Sequence, residues 1–173
     1  LNDWLYISKN WYDFVKNDEN IWFQIVICCY FEIEVLRNDF LQCKIFFCET
    51  ADLVNQIILE THKFKFVVGK NKNKYKQKPT YYDIDPNSIL LELINKNWDR
   101  IESDKRKLTT NMFYYKTKKL LSSIRSDTNQ GFINYLRISK AKYIESLNIS
   151  IHEKQKLHER MNHNYITTIN NYL

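Results

Sequence analysis

A chain of 173 residues with 44% apolar and 15% aromatic side chains has enough material to bury a core, which excludes global disorder. Its 2 glycines and 2 prolines are too few for a turn-rich all-β fold, and it has no glycine-rich phosphate loop. The net charge of +6, with a pI near 9.0, favours polyanionic partners: nucleic acid, an anionic membrane surface or an acidic protein.

Residues 3–17, DWLYISKNWYDFVKN, carry Trp4, Leu5, Trp11, Phe14 and Val15 at helical spacing and predict an amphipathic helix. WFQIVICCYFEIEV, 22–35, is dense in β-branched and aromatic residues, and Phe31, Ile33 and Val35 alternate with Glu32 and Glu34. That pattern predicts a strand, with a long helix through 21–49 as the alternative. The turn signal at 37–39 and the alternation of Leu41, Cys43, Ile45 and Phe47 complete a β-hairpin. Thr50 is placed to cap a helix over 51–62 with Leu53, Val54, Ile57 and Ile58 inward. KFKFVV, 63–68, alternates as a third strand, and TYYDI, 80–84, reads as a fourth. Between them GKNKNKYKQKP forms a basic loop. Asp85 followed by Pro86 predicts a helix start, and Ile89, Leu90, Leu93, Ile94, Trp98 and Ile101 follow it. Helices are expected over about 109–125, 130–147 and 151–171; Ser150 and Glu153 have capping-box spacing before the last.

These elements make an α+β fold: an N-terminal antiparallel sheet covered by helices, followed by a C-terminal all-helical part. The expected lobes are 1–104, in the order α-β-β-α-β-β-α, and a helical lobe over 105–173 packed as one unit. The order of the first lobe resembles the half-unit topology of LAGLIDADG homing endonucleases. The matching place reads FVKNDENIWF, where Asp18 or Glu19 stands for the family's metal-holding acid. The family's close-packing glycines are missing there, so the resemblance implies a degenerate, non-cleaving relative.

Other reactive residues point to structure rather than chemistry. Cys28, Cys29, Cys43 and Cys48 lie in apolar surroundings with no C-x-x-C spacing, which suits buried thiols of a reducing, intracellular compartment, whether cytoplasmic, nuclear or organellar. A Cys43–Cys48 bridge is compatible with the spacing. His62, His152, His158 and His163 show no zinc-helix spacing, and His158 and His163 read as surface residues. Trp4, Trp11, Trp22 and Trp98 suit a core. Asp83 and Asp85 are a carboxylate pair, better explained as a strand end and a helix cap. No catalytic residue, metal or cofactor is assigned. The longest apolar run, 21–31, is too short to span a bilayer.

Basic residues carry the functional expectation. The loop holds Lys70, Lys72, Lys74, Lys76 and Lys78 around Tyr75, five lysines in nine residues without an acid; the lysines suit a phosphate backbone and Tyr75 an unpaired base. In 109–125, Phe113, Leu120, Leu121 and Ile124 face one side, while Lys116, Lys118, Lys119 and Arg125 fall elsewhere. After the turn SDTNQG, the next helix turns Phe132, Leu136, Tyr143 and Leu147 inward and leaves Arg137, Lys140 and Lys142 outside. Two helices so arranged suit a helix-turn-helix. LSSIRSDTNQGFINYLRISKAKYIE, 120–145, also resembles the end of the first helix-turn-helix of AraC-type regulators and the start of their linking helix. The expected function is non-enzymatic binding of DNA or RNA, as a DNA-binding factor or a ribonucleoprotein subunit. The alternatives are a protein-interaction or structural module of a larger assembly, with protein partners, and a degenerate homing-endonuclease-like nuclease.

Overall fold

The computed structural model describes residues 3–67, 78–103, 108–125 and 130–161. Helix α1, Asp3–Val15, buries Trp4, Ile7, Trp11 and Val15, one side chain per turn, while Leu5 lies on its outer side.

Helix α2, Ile21–Glu32, stands where a strand was expected. The Asn20 side-chain oxygen accepts the Phe23 N–H at 3.0 Å, and the Asp18 carboxylate accepts the Asn20 N–H at 2.8 Å. Ten of its twelve residues are buried. A run buried on every side has no polar face to give a period, so β-branched and aromatic composition set the expectation, and tertiary burial outweighs it. The alternating segment that follows is no strand either: Ile33, Glu34, Val35 and Leu36 are all buried. The order α-β-β-α-β-β-α is therefore replaced by two helices, four strands and two helices over the same stretch.

A short 3-10 turn, Asn38–Phe40, leads to the sheet. Its strands are β1 (Lys44–Phe46), β2 (Gln56–Ile58), β3 (Lys63–Phe66) and β4 (Thr80–Asp83), in that spatial order. The sheet is mixed rather than purely antiparallel: β1 and β2 run parallel with Ile45 opposite Ile57, and the other two pairings are antiparallel. The helix expected over 51–62 is absent; Leu53 is 80% exposed, and Ile57 and Ile58 are buried on β2. The buried Gln56 amide organises the connection. It donates to the Thr50 carbonyl at 3.2 Å, the Thr50 hydroxyl at 2.9 Å and the Asp52 carbonyl at 3.1 Å. Lys65 Nζ adds a bond to the Thr50 carbonyl at 3.1 Å. These bonds satisfy polar groups that a helix would have satisfied internally. Tyr30, Phe40, Phe64 and Tyr82 form an aromatic row, with successive ring centroids 5.0, 4.9 and 6.3 Å apart.

Helix α3, Ile89–Lys96, starts later than Asp85-Pro86 suggests. Ser88 is its cap, accepting the Leu91 N–H at 3.2 Å. Asp85 instead closes a turn by accepting the Asn87 N–H at 2.8 Å. The Glu32 carboxylate accepts the Ile89 and Leu90 N–H groups at 2.9 and 2.7 Å, so the first turn of α3 already holds an anion. Burial pushes the Glu32 carboxyl above its ordinary range. Helix α4, Trp98–Ser103, follows; Trp98 is half-buried.

Three helices complete the described chain: α5 (Thr110–Ile124), α6 (Phe132–Ser146) and α7 (Ile151–Arg160). They supply the expected all-helical C-terminal part. The Ser150–Glu153 capping box of α7 is formed in both directions. The chain forms two compact units. One holds α1, residues 34–37 and α5 to α7; the other holds α2, the sheet, α3 and α4. No helix among the described residues is long and apolar enough to cross a membrane.

Candidate nucleic-acid interface

Helix α5 is capped by Thr109, whose hydroxyl accepts the Met112 N–H at 3.1 Å. Phe113, Thr117, Leu120 and Leu121 are its buried stripe. At 100° per residue, Tyr115 lies opposite that stripe, with Lys118 and Lys119 on either side of it. Tyr115 is 71% exposed and Tyr114 64%. Lys118 and Lys119 are exposed and Lys116 is half-buried. Tyr114 with Lys118, and Tyr115 with Lys119, are one-turn neighbours with Cβ atoms about 6 Å apart. The helix carries no acidic residue. Its outer face is thus cationic and aromatic together.

The remaining expected contacts are scattered. Lys70, Lys72, Lys74, Tyr75 and Lys76 lie outside the described residues, and Lys78 is exposed ahead of β4. Arg125, at the end of α5, is exposed but ion-paired with Asp3. Lys142 is exposed on α6. Lys140 is not available as an outer cation: it pairs with Glu34, whose side chain is 4% exposed, and its ammonium sits 5.4 Å from the Trp4 ring centre. Arg137 is not on the surface at all. It is 3% exposed and donates to the Val35 carbonyl at 3.0 Å and the Met161 carbonyl at 3.1 Å.

With Arg137 buried and Lys140 paired to Glu34, α6 lacks two of the three outer cations expected of it as a recognition helix. A recognition helix needs a free face to enter a groove. Helix α6 instead buries Phe132, Tyr135, Leu136, Arg137, Ser139, Ala141 and Ile144, and it packs on α1, α5 and α7. Its exposed stripe is narrow, comprising Asn134, Lys142 and Ser146. Lys142 faces water as expected, but Arg137 and Lys140 do not, because their partners are remote in sequence and no local pattern announces them.

Reactive side chains are held in structural roles. All four cysteines are free, so the 43–48 bridge is not formed. Cys28, Cys29 and Cys43 are buried as expected, whereas Cys48 is exposed. Burial pushes the Cys28 thiol up, and a hydrogen bond to Glu60 raises that of Cys48, so neither is an activated thiolate. His158 is buried rather than superficial, with Nε2 2.8 Å from Glu145; His163 lies outside the described residues. Asp83 pairs with Lys63 at 3.1 Å. Asp18 and Glu19 lie in the turn before α2, where Asp18 is hydrogen-bonded to Asn20. No group of three metal-ligating side chains occurs among the described residues. Among the described residues, Asp18 and Glu19 are thus not joined by further acids, histidines or cysteines in a ligand cluster.

No protein-family model, curated protein or solved structure matches the chain.

Tyr115 was missed in the sequence. The signal was present: a large aromatic set opposite the Phe113–Leu120–Leu121 stripe on a helical projection.

Proposed function

We propose that the chain is a non-enzymatic nucleic-acid-binding protein, a DNA-binding factor or a ribonucleoprotein subunit. The observation that supports this best is the outer face of α5, where Lys118 and Lys119 flank Tyr115 on a helix without an acidic residue. Exposed lysines neutralise phosphates and release condensed counterions, which makes affinity fall with salt. Lys142 and Lys78 add exposed charge elsewhere on the chain.

Salt dependence tests the proposal. Each phosphate contact contributes about −0.9 to the slope of log K against log salt on duplex DNA and about −0.7 on a single strand. Changing Lys118 and Lys119 together to Gln is expected to flatten the slope by up to about 1.4 to 1.8. Gel-shift titrations at several salt concentrations measure it. Identical slopes, or no binding at low salt, would retire the proposal.

A second reading is a protein-interaction or structural module of a larger assembly. Its candidate contacts are Phe47 and Leu53, apolar side chains 65% and 80% exposed in the segment after β1.

A further inference from the structure

We propose that the outer face of α5 takes single-stranded nucleic acid, with an unpaired base stacked on Tyr115 and the flanking phosphates held by Lys118 and Lys119. This rests on the nucleic-acid reading above and narrows it to one class of ligand.

The composition of the face carries the argument. In a duplex both faces of a base are covered by its neighbours, and only base edges are open to a protein. Edge readout uses arginine, lysine, asparagine and glutamine, and a ring face takes no part in it. At the centre of this face stands a tyrosine, with 71% of its surface open to solvent and a second tyrosine, 64% exposed, beside it. On an intact duplex the hydroxyl of an outward tyrosine can reach a phosphate, but its ring face is left uncovered. An unpaired base offers a bare π-face that a ring covers at about 1–3 kcal/mol per base.

Spacing and charge agree with this. Lysines one turn from each ring place cations beside the stacked base, where a single strand carries its phosphates. Tyrosine is enriched and lysine depleted at protein interfaces, so it is the lysines bordering the ring on both sides that favour nucleic acid over a protein partner. Ring and ammonium contact only base faces and phosphates, which RNA and DNA share. The face is therefore expected to treat the two sugars alike. It also differs from the helix-turn-helix scheme, because α6 takes no part in it.

Fluorescence anisotropy with the full chain tests the inference. The probes are a short oligouridylate, the matching oligothymidylate and a duplex of the same length, all at one low salt concentration. Both single strands are expected to bind more tightly than the duplex. Tyr115→Ala is expected to weaken single-strand binding about tenfold or more, with little change on the duplex, and Tyr115→Phe to restore it. Tyr115 is exposed, so the variants are expected to fold, as far-ultraviolet circular dichroism checks. If Tyr115→Ala binds like wild type while Lys118→Gln with Lys119→Gln weakens single strand and duplex equally, this inference fails and the broader function stands. Binding of the duplex at least as tightly as the single strands has the same meaning. No binding to any probe overturns both.

Discussion

Arg137 and Lys118 are cations from the same basic stretch, and the fold sets them to opposite tasks. Arg137 ties residues 34–37 and the end of α7 to α6 by donating to two backbone carbonyls. A guanidinium suits this because its planar fork offers several donors with fixed geometry. Arg137→Ala leaves two buried acceptors without their donor and is expected to cost about 3 kcal/mol. Lys118 is exposed, and Lys118→Gln is expected to stay within about 0.5 kcal/mol of wild type. Urea unfolding of the two variants measures both, and equal midpoints would refute the division. None of this was legible locally. The Val35 carbonyl is 102 residues from Arg137, and Glu34 is 106 from Lys140. A charge on a helix is assigned to water unless a partner is in view, and these partners come into view only after folding.

Helix ends show how far local chemistry reaches. The Ser150–Glu153 box was readable because both bonds close within four residues. The start of α3 was read three residues too early, since Asp85-Pro86 imitates a cap followed by a first helical residue. Ser88 is the working cap and Asp85 a turn residue. Ser88→Ala is expected to cost about 1 kcal/mol, and Asp85→Ala no more than a few tenths. Thermal unfolding of the pair decides which residue begins the helix; the reverse ranking would return the cap to Asp85. Helix α2 failed for a different reason. With ten of twelve residues buried it has no wet face, so strand and helix predict the same apolar run. Asn20 was the one local clue, an amide side chain placed immediately before that run.

At the scale of the molecule, the chain order does not give the packing order. Helix α1 opens the sequence, yet it packs on α6, and Asp3 pairs with Arg125. Its buried Trp4, Ile7, Trp11 and Val15 belong with the C-terminal helices. Residues 109–173 alone lack this apolar face and the Glu34 and Val35 groups that bind Lys140 and Arg137. That fragment is expected to show no cooperative thermal transition by circular dichroism, whereas the full chain shows one. A sharp transition in the fragment would mean that α5 to α7 need no help from the N-terminal half.

Amino-acid order alone determined the α+β class, the strands at 63–66 and 80–83, the three C-terminal helices and the cationic side of α5. Each depends on periods and caps that close within a few residues. Tertiary structure decided that 21–32 is a helix, that β1 and β2 run parallel, and that Arg137 and Lys140 point inward while Lys118 and Lys119 do not. The physical reason is the range of the forces. A helical turn is satisfied by its own neighbours, whereas strand direction and the placement of a charge depend on groups brought close only by burial of the core.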